Sequence, residues 1–500
     1  MIHLAVTAAL LGVTFVVANR FGSPAALTFA FLTLTCVESG SLLQLTHTNL
    51  LVGTTLAAPD LEVHAYHLVI LASLFLIPDI LRRRNVSFPL LLVPLGLLAI
   101  AVAQANLTVL VSAGIVQWAF AALAWPLGAW VAEQRRIGRL DDRMFVLAVL
   151  TPVAANVAAV ALQLFGGRAV SSIALGSGSL ERVSGLEGHS GNLGKVLLLL
   201  LILLLPLTTS RDAVSRRLAT TGIVFIVIVT GLTYSRANML GVGAAILIWF
   251  VMQPGASIAR RVGLPVVAAA CALPFVNTLL LRNNYDPTGG SRPTLTAAAW
   301  NQIHQTLMWG IGPNNYQNRV GVDSPISAVL PVHNTFLLTL AEAGLVMSIV
   351  IAYPLVRMVL RCLTNVRGAG IGRSQAVAFI ATLPGLAVIA LTGHGLVTDH
   401  IMLLLFFILG FCFRTAASDM RAPEPVTADV VPRRGAETEA LPLRTRTRIR
   451  EVEPAADRVS ALAAAESRAS ARALTPAAPA TPTSDDFRRR VLEPVERGRR

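Results

Sequence analysis

Residues 218–253 read LATTGIVFIVIVTGLTYSRANMLGVGAAILIWFVMQ, two apolar stretches on either side of a polar knot. Taken as one helix, this run would be about 54 Å long at 1.5 Å per residue, far more than a hydrocarbon core of roughly 30 Å. It would also put its arginine-bearing flanks, SRDAVSRR at 210–217 and SIARR at 257–261, on opposite faces of a membrane. Arginine-rich junctions stay on the cytoplasmic side. Two spans joined by a tight turn at 233–238 remove both difficulties and put Arg236 in a turn on the outer face.

The same reading extends along the chain. Apolar runs near 3–19, 24–38, 64–81, 87–104, 108–132, 144–165, 194–209, 218–234, 237–253, 263–281, 333–357, 374–392 and 399–414 have spanning length. The segment 41–58 is too polar to assign, so the expectation is about 12–14 transmembrane helices. Only 14% of residues are charged, against about a quarter in a soluble chain. The runs do not alternate as barrel strands do, which leaves helices. The expected class is an all-α integral membrane protein.

Six arginine-rich segments, at 82–85, 133–143, 210–217, 257–261, 356–374 and 413–421, fall at every second junction. They agree on one topology, with a cytoplasmic C-terminus and with 166–193, 233–238, 282–332 and 393–400 on the outer face of the cytoplasmic membrane. The net charge of +14 is spread over these junctions, so no nucleic-acid partner is expected. Asp141 and Asp142 sit inside one arginine cluster and read as charge balance, not as a metal site. Cys36, Cys271, Cys362 and Cys412 show no metal-ligand spacing, and there is no phosphate-binding glycine loop or HExxH helix. No metal and no cofactor are expected.

The membrane domain accordingly covers 1–414, with one large loop at 282–332. Inside that loop LTAAAWNQIHQTLMWG (295–310) has helical apolar spacing and could lie along the membrane surface. Residues 415–500 form a cytoplasmic, disordered Ala/Pro/Arg/Glu-rich tail; from 417 on it has sixteen arginines against thirteen acids. A cytoplasmic partner or anionic lipid would be its natural contact.

Three basic residues on the outer face suit one chemistry. Arg236 lies in the 233–238 turn, Arg292 just before the amphipathic stretch, and His333 at the start of the apolar run HNTFLLTLAEAGLVMSIVI (333–351). A guanidinium is a fixed fork of donors that matches phosphate oxygens and keeps its charge at any working pH. An imidazole beside two of them can take a proton from an attacking hydroxyl.

GLTYSRANML (231–240), GGSRPTLTAAAWNQIHQTLMWGIGPNNYQ (289–317) and VHNTFLLTLAEAGLV (332–346) resemble blocks of the O-antigen ligase and O-antigen polymerase family, and RVSGLEGHSGNLG (182–194), ahead of them in the chain, resembles its outer loop. The resemblance implies a membrane glycosyltransferase of type-C-like helical architecture, working without a metal. Its donor would be a polyprenyl-diphosphate-linked glycan, and its acceptor a hydroxyl on a glycan, lipid or protein. Position by position, it implies diphosphate binding by Arg236 and Arg292 and acceptor activation by His333. Asn334, Glu342 and Gly344 match further positions of the His-Asn block, as packing or supporting groups. The arginine-rich tail is no part of the family pattern.

His394 and Asp399, in the 393–400 turn, and Asn192, in the 166–193 loop, lie on the same outer side. They are secondary candidates for orienting His333 or meeting the acceptor. Lys195 reads as a snorkelling helix-end residue. With no carboxylate nucleophile evident, one-step inversion is the simplest mechanism. The competing class is a lipid-linked oligosaccharide flippase or other transporter, which a dozen spans would suit equally. A carrier, however, would invest charge near mid-membrane and repeat its halves; this sequence invests in one asymmetric outer loop.

Overall fold

The computed structural model describes residues 2–37, 43–44, 62–82, 85–166, 171–175, 178–253, 266, 291–324, 326–327, 330–368 and 370–418. The run at 263–281 and the tail beyond Ser418 therefore fall outside the described residues, apart from Val266. The helices are α1 (Ile2–Phe21), α2 (Ser23–Cys36), α3 (Ala65–Leu76), α4 (Phe88–Ala103), α5 (Val109–Arg136), α6 (Asp142–Phe165) and α7 (Ser190–Leu204). They continue as α8 (Ala213–Leu232), α9 (Arg236–Met252), α10 (Arg292–Thr306), α11 (Tyr316–Val320), α12 (Thr335–Asn365), α13 (Gly370–Thr392) and α14 (Asp399–Ser418). Two short antiparallel hairpins, 43–44 with 62–63 and 171–175 with 178–182, are the strands among the described residues.

Six helices are long and apolar enough to cross a membrane, and five shorter apolar helices of 10–17 residues stand among them. The chain is an all-α, multi-pass membrane protein. Small residues let its central helices approach closely, as they do where lipid supplies no hydrophobic contrast between helices. A Cβ on Gly128 of α5 would overlap the Phe407 carbonyl of α14, and one on Gly410 of α14 would overlap the Trp125 carbonyl of α5.

The turn at 233–238 is present. α8 ends at Leu232, and α9 begins at Arg236 after Tyr234 has turned the backbone at φ 50°. Other junctions sort to two ends of the bundle. At one end α5 and α6 meet through Arg135–Asp142 at 2.8 Å, and α6 meets α8 through Arg143–Asp212 at 2.8 Å. Glu133, 4% exposed, binds both Arg136 (2.7 Å) and Arg414 (2.8 Å). Arg357 and Arg361 lie over the Phe413 ring at this end. Asp141 caps α6 by accepting from the Met144 amide at 2.7 Å. Four of the six arginine clusters are thus drawn together, and the two aspartates do serve charge balance and capping.

At the other end, Gln163 of α6 bonds Ser184 and Gly185, Arg182 donates to the Thr233 carbonyl at 2.9 Å, and Thr335 donates to the Gly393 carbonyl at 2.7 Å. Asn106, after α4, reaches the Ile311 carbonyl at 2.9 Å. Four arginine clusters and these other junctions thus separate into two groups, as the arginine pattern leads one to expect; the cluster at 257–261 lies outside the described residues.

Two expectations need correction. The run from His333 is not one continuous span: α12 breaks at Gly344, where φ is 70° and ψ 174°. Thirty-one helical residues would measure about 46 Å, whereas the part after the break, 345–365, measures about 31 Å and matches a bilayer core. The break frees backbone groups, and the loop after α10 takes them. The Ile311 and Gly312 amides donate to the Ala341 and Glu342 carbonyls (3.1 and 2.9 Å), and the Leu345 amide donates to Leu307 O (2.8 Å). A Cβ on Gly344 would sit 2.5 Å from Gly310 N, so only glycine admits this approach.

The second correction concerns α10. Its apolar face, with Leu295, Ala299 and Ile303 buried, is covered by protein: Ala299 and Ile303 share a small core with Ile311, Tyr316, Val332, Leu338 and Ala341. That face is not free to lie on lipid. Docked α10 instead holds Arg292, its first residue, close to the start of α12.

Candidate active site

His-Asn at 333–334 divides into two tasks. Asn334 is the N-cap of α12, its side-chain oxygen accepting from the Phe336 and Leu337 amides at 3.0 and 3.1 Å; such caps hold a helix start in place. His333, one residue earlier and half-buried, is thereby fixed outside the helix. Its Nδ1 lies 3.1 Å from the Pro331 carbonyl. A carbonyl can only accept, so Nδ1 carries the hydrogen and Nε2 bears the lone pair.

The surroundings of His333 are cationic. Burial chiefly, then the charge of Arg292 and that of Lys195, push its pKa below the ordinary histidine value, against the Pro331 bond, which raises it. Above that lowered pKa the ring is neutral and can accept a proton at Nε2. His394 stands edge-on to His333 with ring centroids 5.3 Å apart. Burial, then Lys195 and the neighbouring histidines, push its pKa down to about 3. Its Nδ1 is buried without a hydrogen-bond partner.

Lys195, the only lysine of the chain, anchors this field. Its Nζ donates to Asn192 Oδ1 at 2.9 Å, which gives Asn192 a positioning task. Gly395 packs beside it, and a Cβ there would displace Nζ. The wholly buried Glu187 lies within electrostatic reach of Lys195 and binds His400 Nε2 at 2.8 Å. His189 caps α7 through the Gly191 amide (3.0 Å) and shares the field of Lys195 and Arg182.

Arg236 enters from the first turn of α9, half-buried; two residues on, Asn238 donates to the Gly191 carbonyl at 3.0 Å and ties that turn to the start of α7. Glu342 stands apart from the histidines, where it accepts from the Tyr316 amide at 3.3 Å. Burial chiefly, then Glu342, raises the pKa of Tyr316, whose hydroxyl points to the Leu295 carbonyl at 3.5 Å. Asp399 opens α14, and its side chain lies outside the described residues. The arrangement therefore joins His333, Arg292, His394, Asn192 and Lys195. The Glu187–His400 pair and the central place of Lys195 were not anticipated. A single lysine at the mouth of an otherwise uncharged apolar run was the available signal.

A multi-pass helical protein with cations and neutral imidazoles gathered at one end of its bundle is the class these observations define. Residues 196–352 match the model of the O-antigen ligase family, which supports the resemblance to O-antigen ligases and polymerases. The match contains Arg236, Arg292 and His333, while Lys195, His394 and the Glu187–His400 pair come to the same place from its two flanks. No curated protein matches the chain. The matched family supports an O-antigen ligase-like membrane glycosyltransferase function, and it implies a lipid-linked glycan donor and a glycan acceptor.

Proposed function

We propose that the chain transfers a glycan from a polyprenyl diphosphate to an acceptor hydroxyl at the outer face of the cytoplasmic membrane, with Arg236 and Arg292 on the diphosphate and His333 as the base. The observation that carries this reading is the contact of His333 Nδ1 with the Pro331 carbonyl, which leaves Nε2 to accept within the field of Arg292. The acceptor O–H proton passes to Nε2 as the oxygen attacks the anomeric carbon. The bond from that carbon to the phosphate oxygen breaks, and the diphosphate leaves on the carrier. Arg236 and Arg292 stabilise the charge that appears on the leaving oxygens. Lys195 adds to that potential, and His394 holds the ring plane of His333. A single displacement inverts the anomeric centre, and no metal enters these steps.

The test uses purified full-length protein in lipid nanodiscs with a polyprenyl-diphosphate glycan and a panel of glycan, lipid and protein acceptors. Product and released carrier are followed together. Transfer by wild type, abolished in folded His333→Ala and Arg236→Ala, is the expected result. Movement of labelled lipid across vesicles by all three, with no product, would identify a flippase instead. A trapped glycosyl-enzyme intermediate would overturn the single displacement.

A further inference from the structure

Next to the histidines, between α5, the loop after α10 and the outer half of α12, lies a second cleft. Its walls include Gln117, Trp118, Asn314, Gln317, Glu342 and Pro331. It lies beside His333, since Pro331, whose carbonyl orients the imidazole, is also one of its lining residues. The two compartments differ in charge. Lys195 and Arg292 act electrostatically on His333, whereas among the described residues no cation lines the cleft and Glu342 does. A diphosphate is drawn to the first, whereas the second offers it no cation, and burial pushes the pKa of its one carboxyl, Glu342, up to about 7.

The cleft's chemistry suits a different ligand. Side-chain amides both donate and accept, a carboxylate accepts in pairs, and aromatic rings offer flat apolar faces. Together these match adjacent hydroxyls and the C–H face of a pyranose, as in small-ligand clefts that combine apolar walls with a few convergent polar groups. The walls are also held ready. Asn314 adopts φ 58°, a left-handed turn fixed where its own amide and that of Tyr316 donate to Glu342. Gln117 is pinned by its 3.1 Å bond to the Val397 carbonyl, and Asn314 reaches its Oε1 at 3.5 Å. Three separate segments converge on one opening, which lowers the ordering cost of binding.

We infer that this cleft is a saccharide subsite, which holds a sugar ring against His333 while the diphosphate lies among the cations. The inference rests on the glycosyl-transfer reading and adds where the sugar binds. That sugar is either the acceptor's terminal residue or the donor's leading one; both present the same hydroxyl chemistry.

Asn314→Gly and Glu342→Gln test it. Glycine keeps the left-handed backbone and removes the amide, while glutamine keeps an oxygen for the Tyr316 N–H and removes the charge. Full-length protein in nanodiscs is titrated with carrier-free repeat-unit oligosaccharide, released by mild acid from the source cells' lipid-linked glycan. Binding is read by saturation-transfer NMR, with thermal melts confirming both folds. Each variant should weaken Kd by roughly five- to tenfold, the scale of one lost hydrogen bond to a polar or charged group. A matching rise in acceptor KM at saturating donor assigns the sugar to the acceptor; a rise in donor KM assigns it to the donor. Wild-type Kd and both KM values unchanged in the two variants would overturn the subsite. Oligosaccharide binding that both variants weaken, in a protein that transfers nothing, would sink the transfer reading and leave the subsite standing.

Discussion

The two ends of the bundle handle positive charge in opposite ways. At the arginine end Arg135, Arg136, Arg143 and Arg414 each bind a carboxylate, and Glu133 serves two of them. At the histidine end Lys195 bonds a neutral amide, and no carboxylate pairs with Arg292 or Lys195 among the described residues. Glu187, wholly buried there, is bound to His400 and lies within electrostatic reach of Lys195. Paired charges fasten helices, while a guanidinium such as Arg292, with no carboxylate on it among the described residues, contributes a potential that an anion can fill. On the proposed function, structure is concentrated at one end and chemistry at the other.

Substitutions at the two ends should therefore separate cleanly. The largest effect belongs to the histidine end: His333→Ala should lower the transfer rate about 10²–10⁴-fold, the range of a lost general base, with an unchanged melting temperature. Arg292→Ala should cost about 10²–10³-fold, the scale of one lost donor to developing charge, in the same assay. Glu133→Ala should do the reverse. Leaving Arg136 and Arg414 facing each other at a half-buried site should cost about 3–5 kcal/mol of stability, read by thermal or denaturant melts. Turnover per folded molecule should stay as in wild type. A Glu133 variant that melts normally but transfers nothing would break the comparison.

Gly344→Ala probes the joint between the two regions. It places a side chain at φ 70° against Gly310 and Trp309, so a strain cost of about 1–3 kcal/mol is expected, together with loosening of the loop that holds Arg292. Limited proteolysis between residues 307 and 330 should report that loosening. Unaltered cleavage would mean that the loop is held elsewhere.

How much of this the sequence disclosed depended on whether the cause was local. Helix ends were legible because length and arginine placement answer to the membrane itself: the 233–238 turn follows from bilayer thickness alone. Arg236, Arg292 and His333 were singled out through blocks that resemble the family's, and the structure brings Arg292 within electrostatic reach of His333. The break at Gly344 was not, because Ala-Glu-Ala-Gly-Leu is compatible with an apolar helix. Only the distant loop at 307–312, bonding to the freed carbonyls, makes the interruption stable. Lys195 was read as a helix-end residue because its partners, Asn192 aside, arrive from distant parts of the chain. The buried apolar face of α10 had the spacing of a membrane-surface helix, and its spacing is the same whether lipid or protein covers it.

The most direct measurement is the pH dependence of kcat/KM for wild type and Arg292→Gln. A neutral His333 is required, so the rate should fall as pH drops through its pKa, which burial and Arg292 place below the ordinary value. Removing the Arg292 charge relieves part of that depression, so the acidic limb should move to higher pH even as the rate falls. A limb that stays where it was, or a rate that rises toward low pH, would contradict the assignment of His333 as the base.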